Sequence, residues 1–354
     1  MKSYDVVDWG KPLQARVRDT AGPKGTEVLL GLTHCGVCHT DVHVREGYFD
    51  LGGGKKFSYA ERGVPLPLTL GHEPVGKVIA VGEGVREDIV GKQYLINPWI
   101  GCGACPMCAS DRDNLCQALR PIKMGAPWGA FGSHLLIRHP KYLVDIQGLR
   151  PDQAAPLACS GLTTYSAIKK LQPIDPMDWV AIIGCGGLGL MALAILRGLG
   201  HERIVACDID DAKLAAARTS GASETCNLKT EGLKHLLRVA GGSVYGMLDF
   251  VGSPETLSLA APGLRKGGRF VVSGLMGGAA SVPIPVLALR EVAILGSAVG
   301  TTPDLVDLVT LVKRGDVRLP EVEHRPLSMA DKSLDDLAAG RIIGRVVLEI
   351  NEDA

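Results

Sequence analysis

Residues 179–189 read WVAIIGCGGLG, and this stretch decides the fold. An apolar run of strand length ends at Gly184, and an apolar helical segment begins at Leu188. Between them lies the pattern G-x-G-x-x-G, with its glycines at Gly184, Gly186 and Gly189. The first glycine permits a tight turn, the second allows a pyrophosphate to approach the backbone, and the third lets the helix pack on the strand. The stretch therefore predicts a strand–turn–helix unit that binds a dinucleotide.

An acidic residue follows this turn at the expected distance. Asp208 ends the next apolar run, 19 residues after Gly189. A carboxylate at this place accepts hydrogen bonds from the adenosine ribose hydroxyls and repels a 2′-phosphate. The neighbouring Asp210 and Asp211 add to that repulsion, whereas Lys213 could face a ribose hydroxyl or simply be solvated. The alternative for Asp208 is that it only caps the next helix. The pattern favours NAD over NADP.

The alternation of strands and helices continues on both sides of this unit. Further strands are predicted at 203–208, 245–252, 268–275 and 291–300, and helices at 188–200, 211–221 and about 234–242. Strands that are apolar along their whole length are buried on both faces, which indicates a parallel sheet covered by helices. The prediction is an α/β domain with a doubly wound sheet of roughly six strands. Before residue 150, short β-like runs rich in glycine and proline predict a mainly β domain, and the final RVVLEI is expected to return to it.

Composition narrows the choice of partners. The chain has 354 residues, enough for two domains, with 38 Lys plus Arg against 38 Asp plus Glu. A formal net charge of zero argues against a nucleic-acid or polybasic membrane partner. The N-terminal MKSYDVVDWG lacks the apolar segment of a signal peptide, and glycines interrupt the uncharged run 179–196. We therefore expect a soluble, cytoplasmic protein.

Four of the ten cysteines crowd into one loop. They follow the spacing C-x2-C-x2-C-x7-C, at Cys102, Cys105, Cys108 and Cys116. Four thiolates in fifteen residues suit a closed tetrahedral zinc site. The continuation typical of ferredoxins is absent, and the loop has one base, Arg112, against two acids, too few for a zinc ribbon that binds nucleic acid. The prediction is a structural zinc lobe.

A second set of metal-ligand residues is dispersed along the chain. The stretch 35–43 reads CGVCHTDVH, His72 lies in GHEPVG, and Cys159 lies in PLACSGLTTY. Ligands from distant places that meet at a domain junction are typical of a cleft. Each residue also has a simple alternative, since a buried cysteine is commonly a small hydrophobe and His72 could be a core histidine. The C-x-x-C pair of Cys35 and Cys38 could also be half a structural site or a redox dithiol.

Together these motifs, with the final GRVVLEI, resemble the zinc-dependent medium-chain alcohol dehydrogenases over essentially the whole chain, particularly their bacterial and archaeal tetrameric members. The resemblance implies a Rossmann cofactor domain at 159–297. It also implies a mainly β, GroES-like catalytic domain formed by 1–158 and 298–354, with the zinc lobe at about 97–117. NAD, two zinc ions per chain and a homotetramer or dimer are the expected cofactors and assembly.

The resemblance also implies a role for individual residues. Cys38, His72 and Cys159 would bind the catalytic zinc and leave a fourth position for the alcohol, so Cys35 is expected to be a bystander. Glu73 would lie beside the metal, Asp41 would orient the ligand histidine, and Thr40 with His43 would relay the proton. Cofactor contacts are expected from His39 and Arg345 (pyrophosphate), Thr163 (nicotinamide), Gly184, Gly186, Gly187, Leu188, Gly189, Asp208, Lys213, Val251, Gly274, Leu275, Ser297 and Val299. Trp99 and Leu295 are expected in the substrate pocket, and Cys185, Cys207 and Cys226 in plain packing.

The implied activity is reversible hydride transfer from a primary or secondary alcohol to NAD, giving an aldehyde or ketone. A zinc-bound alkoxide would form, and its proton would leave through Thr40 and His43. A hydrophobic, including an aromatic, alcohol is the expected substrate. Polyol dehydrogenases of the family carry a glutamate in place of Cys159, so the cysteine favours the alcohol branch and leaves a polyol or sugar alcohol as the alternative. A nucleotide sensor with only structural metal is a further alternative.

The long insert 47–67 is expected to form a flap over the cleft.

Overall fold

The computed structural model describes residues 1–118 and 129–351. The first half of the chain is built mainly from short strands. The strands are β1 (Lys2–Val6), β2 (Gln14–Val17), β3 (Val28–Gly36), β4 (Tyr48–Gly52), β5 (Lys55–Ser58), β6 (Leu68–Thr69), β7 (Pro74–Val81), β8 (Gln93–Ile96), β9 (His134–Ile137) and β10 (Leu143–Asp145). The helices are α1 (His39–Glu46), α2 (Pro106–Ala109), α3 (Pro151–Ala154) and α4 (Ser160–Lys169).

The second half alternates strands and helices. Its elements are β11 (Val180–Ile183), α5 (Gly187–Gly198), β12 (Ile204–Asp208), α6 (Asp211–Thr219), β13 (Glu224–Asn227), α7 (Gly232–Val239), β14 (Val244–Asp249), α8 (Pro254–Leu257), α9 (Ala260–Gly263), β15 (Leu264–Val272), α10 (Ile284–Arg290), β16 (Ala293–Gly296), α11 (Thr302–Lys313), β17 (Val322–Pro326), α12 (Ala330–Ala338) and β18 (Arg345–Glu349). Short 3-10 helices lie at Glu87–Ile89, Asp113–Leu115, Pro140–Tyr142, Ala155–Ala158 and Leu327–Met329.

The predicted doubly wound sheet is confirmed. Its strand order is β13-β12-β11-β14-β15-β16, and every neighbouring pair is parallel. Counted along the domain, this order is 3-2-1-4-5-6, the arrangement that places a dinucleotide at the carboxyl ends of the central strands. All six residues of β14 are buried, as the continuous apolar run requires. The predicted strands and helices of this half are all present, although β15 begins earlier and β16 is shorter than predicted.

The mainly β half contains a sheet in which β10, β8, β7, β3, β18 and β17 follow one another, with β9 also pairing with β3. Strand β18 is antiparallel to β3, so that Leu348 lies opposite Cys35. The end of the described chain therefore returns to the first sheet, as the RVVLEI run predicted. The smaller sheets are β2-β1-β6 and the β4-β5 hairpin.

The two halves meet in a shared hydrophobic core. One buried cluster includes Cys38 and Trp99 of the β half, Leu190 of α5 and Leu305 of α11, and Cys159 lies in the same cluster. The residues predicted to bind the catalytic metal therefore lie where the two sheets pack together. Within the described residues, no helix is both long and apolar enough to cross a bilayer.

Candidate active site

Three separate segments bring four metal-ligating side chains together. Cys38 precedes α1, His72 and Glu73 precede β7, and Cys159 precedes α4. One ligand atom from each lies within 4.8 Å of the others, and all four residues are buried. The two Sγ atoms of Cys38 and Cys159 are 3.9 Å apart. Two thiolates on one tetrahedral zinc, each about 2.3 Å from the metal, stand about 3.8 Å apart, so this donor set fits zinc.

The orientation of His72 is fixed from behind by Asp41. The Nδ1–H of His72 donates to Asp41 Oδ1 over 2.9 Å, and both side chains are fully buried. The same carboxylate accepts from the backbone amides of Gly71 and Cys38 at 3.2 Å each. A histidine held through Nδ1 offers Nε2 as its metal-ligating nitrogen. The predicted buttress of the ligand histidine therefore has the required geometry.

Glu73 and Arg345 form a buried ion pair between the metal cluster and the glycine turn. The Nη2 of Arg345 donates to Glu73 Oε2, and both residues are buried. Burial raises the pKa of Glu73 to about 7, although the Arg345 guanidinium opposes this rise. A Cβ added at Gly187 would lie 2.4 Å from Arg345 Cδ, so the arginine packs directly on the turn. Arg345 thus lies against the glycine turn, and its contact with a pyrophosphate stays a prediction.

Cys35 is not part of the metal cluster. Its Sγ donates to its neighbouring carbonyl, Gly36 O, over 3.4 Å. It packs in the core of the β half with Val42 and Leu348, whereas Cys38 packs in the core shared by the two halves. The two cysteines therefore face different interiors, which supports the prediction that Cys35 is a bystander.

Helix α1 carries the side chains predicted to move the proton. Thr40 Oγ1 lies 3.7 Å from Cys38 Sγ, so the threonine hydroxyl is next to the metal-ligating cluster. His43 follows three residues later, a spacing that puts it on the same helix face as Thr40. The ring of His43 lies 5.8 Å from that of His39, which is exposed at the start of the helix. The exposed His39 therefore lies at the Cys38 end of the helix, and His43 lies about one turn further along it.

The glycine-rich insert 47–67 contains the β4–β5 hairpin. The ring of Phe49 lies 4.8 Å from that of His43, so the hairpin packs on the last side chain of the predicted proton relay. At its turn, a Cβ added to Gly52 would lie 2.7 Å from the backbone nitrogen of Ala279 in the cofactor half. The insert therefore bridges the two halves beside the site. Whether it opens and closes stays a prediction.

The glycine turn has the geometry expected of a pyrophosphate cradle. Gly184 has φ +90°, a conformation that side chains rarely adopt. A Cβ at Gly189 would lie 2.0 Å from Gly184 O, whereas one at Gly186 would meet nothing within 4 Å. Helix α5 begins at Gly187, followed by Leu188, and its first amides face the open side of the turn. The open space at Gly186 fits the close approach of a phosphate.

Asp208 reaches across to the glycine turn. Its Oδ2 accepts from the backbone amide of Cys185 over 2.7 Å, and its Oδ1 accepts from Ile209 over 2.7 Å. The cap of α6 is Asp210, whose Oδ1 accepts from Ala212 over 2.8 Å. The alternative role of Asp208 as the helix cap is therefore filled by its neighbour. Lys213 lies in the first turn of the same helix.

The residues predicted to contact substrate and nicotinamide are Trp99, Thr163 and Leu295, and all three are at least partly buried. The ring of Trp99 packs edge-on against that of His72 at 5.9 Å. Thr163 is buried on α4, and its amide donates to Cys159 O over 2.8 Å. Leu295, on β16, is partly buried and packs against the shared core. Trp99 thus contacts the predicted ligand His72 directly, and Thr163 lies one helical turn after Cys159.

The remaining predicted cofactor residues lie in loops at the carboxyl ends of β14, β15 and β16. Val251 packs on Gly184, 2.8 Å from the position of an added Cβ, and the backbones of Val251 and Gly274 are in close contact. The next residue, Leu275, is half-exposed. Ser297 accepts a hydrogen bond from Lys170 Nζ over 2.8 Å. Val299 has φ +46°, which is unusual for a β-branched residue.

The four-cysteine lobe also fits zinc. The Sγ–Sγ distances are 3.5 Å from Cys105 to Cys108, 3.7 Å from Cys105 to Cys116 and 4.0 Å from Cys102 to Cys108. All four atoms lie within 4.8 Å of one another. Hydrogen bonds from the amides of Ala104 and Cys105 lower the pKa of the Cys102 thiol to about 6. Four protein donors fill a tetrahedron, so this site suits a structural ion.

Two contacts of functional residues were not predicted from the sequence. Phe49 lies on the ring of His43, and Asn114 of the zinc lobe donates to Ala298 O over 2.8 Å. Neither contact follows from a motif, because each joins a loop residue to a partner that only the tertiary fold brings near. The glycines of the insert were the one available signal for the hairpin.

Known proteins show the same organisation. Residues 24–148 match the model of the alcohol dehydrogenase GroES-like domain, and residues 187–314 match that of the zinc-binding dehydrogenases. An NAD-dependent alcohol dehydrogenase of Sulfurisphaera tokodaii is 34% identical over 351 residues, which cover 98% of this chain and 99% of the relative. This chain belongs to the zinc-dependent medium-chain alcohol dehydrogenases. The predicted family, its two-domain fold and the NAD-dependent enzyme class are thereby confirmed.

Solved structures agree with this assignment. The alcohol dehydrogenase of the hyperthermophilic archaeon Aeropyrum pernix superposes with a TM-score of 0.89 at 30% identity, covering 99% of this chain and 100% of that one. The acetophenone reductase of Geotrichum candidum, solved with NAD, gives a TM-score of 0.86 at 30% identity, covering 99% and 97%. The GroES-like and Rossmann arrangement is thus common to all three.

Proposed function

We propose that this alcohol dehydrogenase oxidises hydrophobic primary or secondary alcohols, including aromatic ones, and reduces the matching aldehydes or ketones. The observation that carries the proposal is the buried set of Cys38, His72 and Cys159 beside the glycine turn. The indole of Trp99 against His72 offers an apolar wall for the substrate. A similar protein, the acetophenone reductase, is named for an aromatic ketone.

Three ligands would hold the catalytic ion. Cys38, His72 and Cys159 supply two thiolates and one imidazole, and Asp41 fixes the imidazole through Nδ1. Bound zinc supplies a Lewis acid that lowers the pKa of the alcohol hydroxyl, and bound NAD supplies the hydride acceptor. Three protein ligands leave a fourth position open. The four-cysteine lobe would hold a second, structural ion.

The protein's own groups remove the proton and exclude water. Thr40 Oγ1 lies 3.7 Å from Cys38 Sγ, and it is placed to take the proton of the alcohol. His43, three residues along the helix, passes a proton outward beneath Phe49. General base relays of this kind contribute about 10²–10⁴-fold to a rate. The buried surroundings of the cluster keep bulk water away from the reacting carbon.

The turn at residues 184–189 orients the cofactor. Backbone amides at the start of α5 and the guanidinium of Arg345 would neutralise the pyrophosphate, and Asp208 would hold the adenosine ribose. Asp208 would repel a 2′-phosphate, which favours NAD.

The assembly is proposed to be a homotetramer or dimer in the cytoplasm, in line with the family members that the sequence resembles.

The proposal is tested by steady-state kinetics with the purified enzyme. NAD reduction is measured over a panel of aliphatic, benzylic and secondary alcohols, polyols and sugar alcohols, before and after chelation. We expect the largest kcat/KM for the hydrophobic alcohols, about two zinc ions per chain, and loss of turnover after chelation. A polyol or sugar alcohol at the top of the panel would favour the alternative substrate class. Full turnover by zinc-free protein would refute the mechanism, and one zinc per chain without turnover would favour a nucleotide sensor.

A further inference from the structure

The side chain of Asn114, in the predicted structural-zinc lobe, bonds to the segment that follows β16. Asn114 lies two residues before the ligand Cys116, in the 3-10 helix Asp113–Leu115. Its Nδ2 donates to Ala298 O over 2.8 Å, across 184 residues of sequence. Its Oδ1 is buried and has no hydrogen-bond partner within residues 1–118 and 129–351. The side-chain amide of Asn114 is therefore held through its NH2 group. If this amide were flipped, its Oδ1 would face the carbonyl oxygen of Ala298.

The accepting carbonyl belongs to a strained peptide. Ala298 O and the nitrogen of Val299 are parts of one planar peptide unit, and Val299 has φ +46°. A β-branched residue rarely adopts this left-handed conformation, and such a backbone persists only where its surroundings hold it. The angle φ of Val299 describes rotation about its N–Cα bond, which adjoins that peptide. A hydrogen bond to Ala298 O fixes the orientation of the peptide and therefore acts directly on φ of Val299.

The flanking residues are held separately. Before the strained peptide, the amide of Ser297 donates to Val272 O over 2.8 Å, and Lys170 Nζ donates to the Ser297 hydroxyl. After it, the Thr301 hydroxyl accepts from the amide of Asp304 at the start of α11. Within residues 1–118 and 129–351, Asn114 supplies the side-chain donor to the peptide in between.

We propose that Asn114 is a positioning residue for cofactor binding. It holds the Ala298–Val299 peptide in its left-handed conformation and so couples the zinc lobe to the segment that faces the nicotinamide. This inference rests on the proposed function, because Ser297 and Val299 are cofactor residues only if the enzyme binds NAD as described. Asn97 makes a parallel contact from the same half, with its Nδ2 donating to the Thr302 hydroxyl over 2.7 Å.

The first test is Asn114→Asp, which keeps the side-chain shape and replaces the donor with an oxygen. NADH affinity is measured by fluorescence titration of the zinc-loaded enzyme, together with the KM values for NAD and alcohol and the zinc content. We expect the NADH Kd and the KM for NAD to rise about ten-fold, from loss of one hydrogen bond and a new repulsion. The alcohol KM should change less than about two-fold, and both zinc ions should stay.

The matched control is Arg112→Ala in the same lobe. Arg112 is exposed and its Nε donates to the Ser110 hydroxyl, so its loss should leave the NADH Kd unchanged. If Asn114→Asp loses the lobe zinc, Asn114→Ala gives the same comparison. A zinc-loaded variant at Asn114 that binds NADH as tightly as wild type would overturn the inference. Wild-type enzyme that binds no NADH would instead overturn the proposed function on which it rests.

A double-mutant cycle tests the backbone conformation itself. Glycine adopts positive φ at no steric cost, so in the Val299→Gly background the peptide needs less support from Asn114. We expect Asn114→Asp to raise the NADH Kd less than about two-fold in that background, against about ten-fold in wild type. Equal effects in the two backgrounds would show that Asn114 does not act through this peptide.

Discussion

Two cysteines three positions apart in CGVCHTDVH have different surroundings. Cys38 Sγ lies 3.9 Å from Cys159 Sγ, whereas Cys35 Sγ donates to Gly36 O and packs in the core of the β half. The strand β3 ends at Gly36 and α1 begins at His39, so the chain changes direction between the two cysteines. The C-x-x-C spacing therefore brings one cysteine, and not both, into the cluster that could hold a metal.

The first prediction compares the two cysteines. Cys38→Ser should abolish turnover and lower the zinc content towards one ion per chain, because a serine oxygen replaces a thiolate ligand. Cys35→Ser should keep both ions and most activity, at a stability cost of about 1 kcal/mol for a buried hydroxyl. Native mass spectrometry and kcat check both variants. Loss of the catalytic ion in Cys35→Ser would contradict the assignment.

The second prediction concerns Asp208. Asp208→Gly removes the carboxylate that would repel a 2′-phosphate, so the ratio of kcat/KM for NADP to that for NAD should rise at least about ten-fold. The neighbouring Asp210→Asn is the comparison, since asparagine also caps helices well and α6 should stay intact. An unchanged ratio in Asp208→Gly would mean that another group excludes the phosphate.

At the scale of elements, apolar runs predicted the sheet well. The strands β11, β12 and β14 are buried along almost their whole length, and their sequences show it. The strand β13 was missed, because its four residues, ETCN, include three polar ones and it lies at the edge of the sheet. The β4–β5 hairpin was also not predicted as strands. Its glycine-rich sequence has little of the alternation by which a strand is recognised.

Only those parts of the candidate site that are encoded by local motifs could be predicted from the residues alone. The glycine turn and the four-cysteine lobe have local spacings that imply their chemistry. The catalytic ligands come from three distant segments, so their assignment depended on resemblance to a family. Contacts such as Phe49 with His43 have no local signal, since packing of a loop is set by the whole fold.

Helix α11 shows how one acid serves both a helix start and a tertiary contact. The Asp304 carboxylate accepts from the amide of Thr301, whose own hydroxyl caps the helix, and from Lys169 Nζ on α4. Burial would raise the pKa of Asp304, but these hydrogen bonds hold it below its ordinary value. The ionised carboxylate therefore stabilises the packing of α11 on α4.

The third prediction follows from the sign of this shift. Because the folded pKa of Asp304 is depressed, its contribution is present above the unfolded value of about 3.9 and is lost as pH falls through the folded pKa. Asp304→Asn should lower the free energy of unfolding by about 1 kcal/mol at pH 7. Urea unfolding of both proteins should show this difference shrinking below about pH 4. The exposed Asp307→Asn on the same helix is the control and should change the free energy of unfolding at pH 7 by less than about 0.5 kcal/mol.

At the scale of the whole molecule, the end of the described chain ties the two halves together. Strand β18 joins the first sheet beside β3, and its first residue, Arg345, packs on Gly187 of the glycine turn. The same arginine pairs with Glu73 beside the metal cluster. One side chain near the end of the sequence therefore touches the cofactor turn, the catalytic half and the acid next to His72.

The fourth prediction tests this connection. Arg345→Met removes the cation that opposes the effect of burial on Glu73, so the Glu73 carboxyl should take up a proton at pH 7, and the free energy of unfolding should fall by about 1–3 kcal/mol. Replacing both partners, as Glu73→Gln with Arg345→Met, should recover most of that loss, because no ionisable group is then buried without its partner. Denaturant unfolding of the zinc-loaded enzyme without NAD measures both.

The double variant should regain stability but not NADH affinity, since the turn still lacks its guanidinium. If it bound NADH as tightly as wild type, Arg345 would be a structural tie between the halves and not a cofactor ligand.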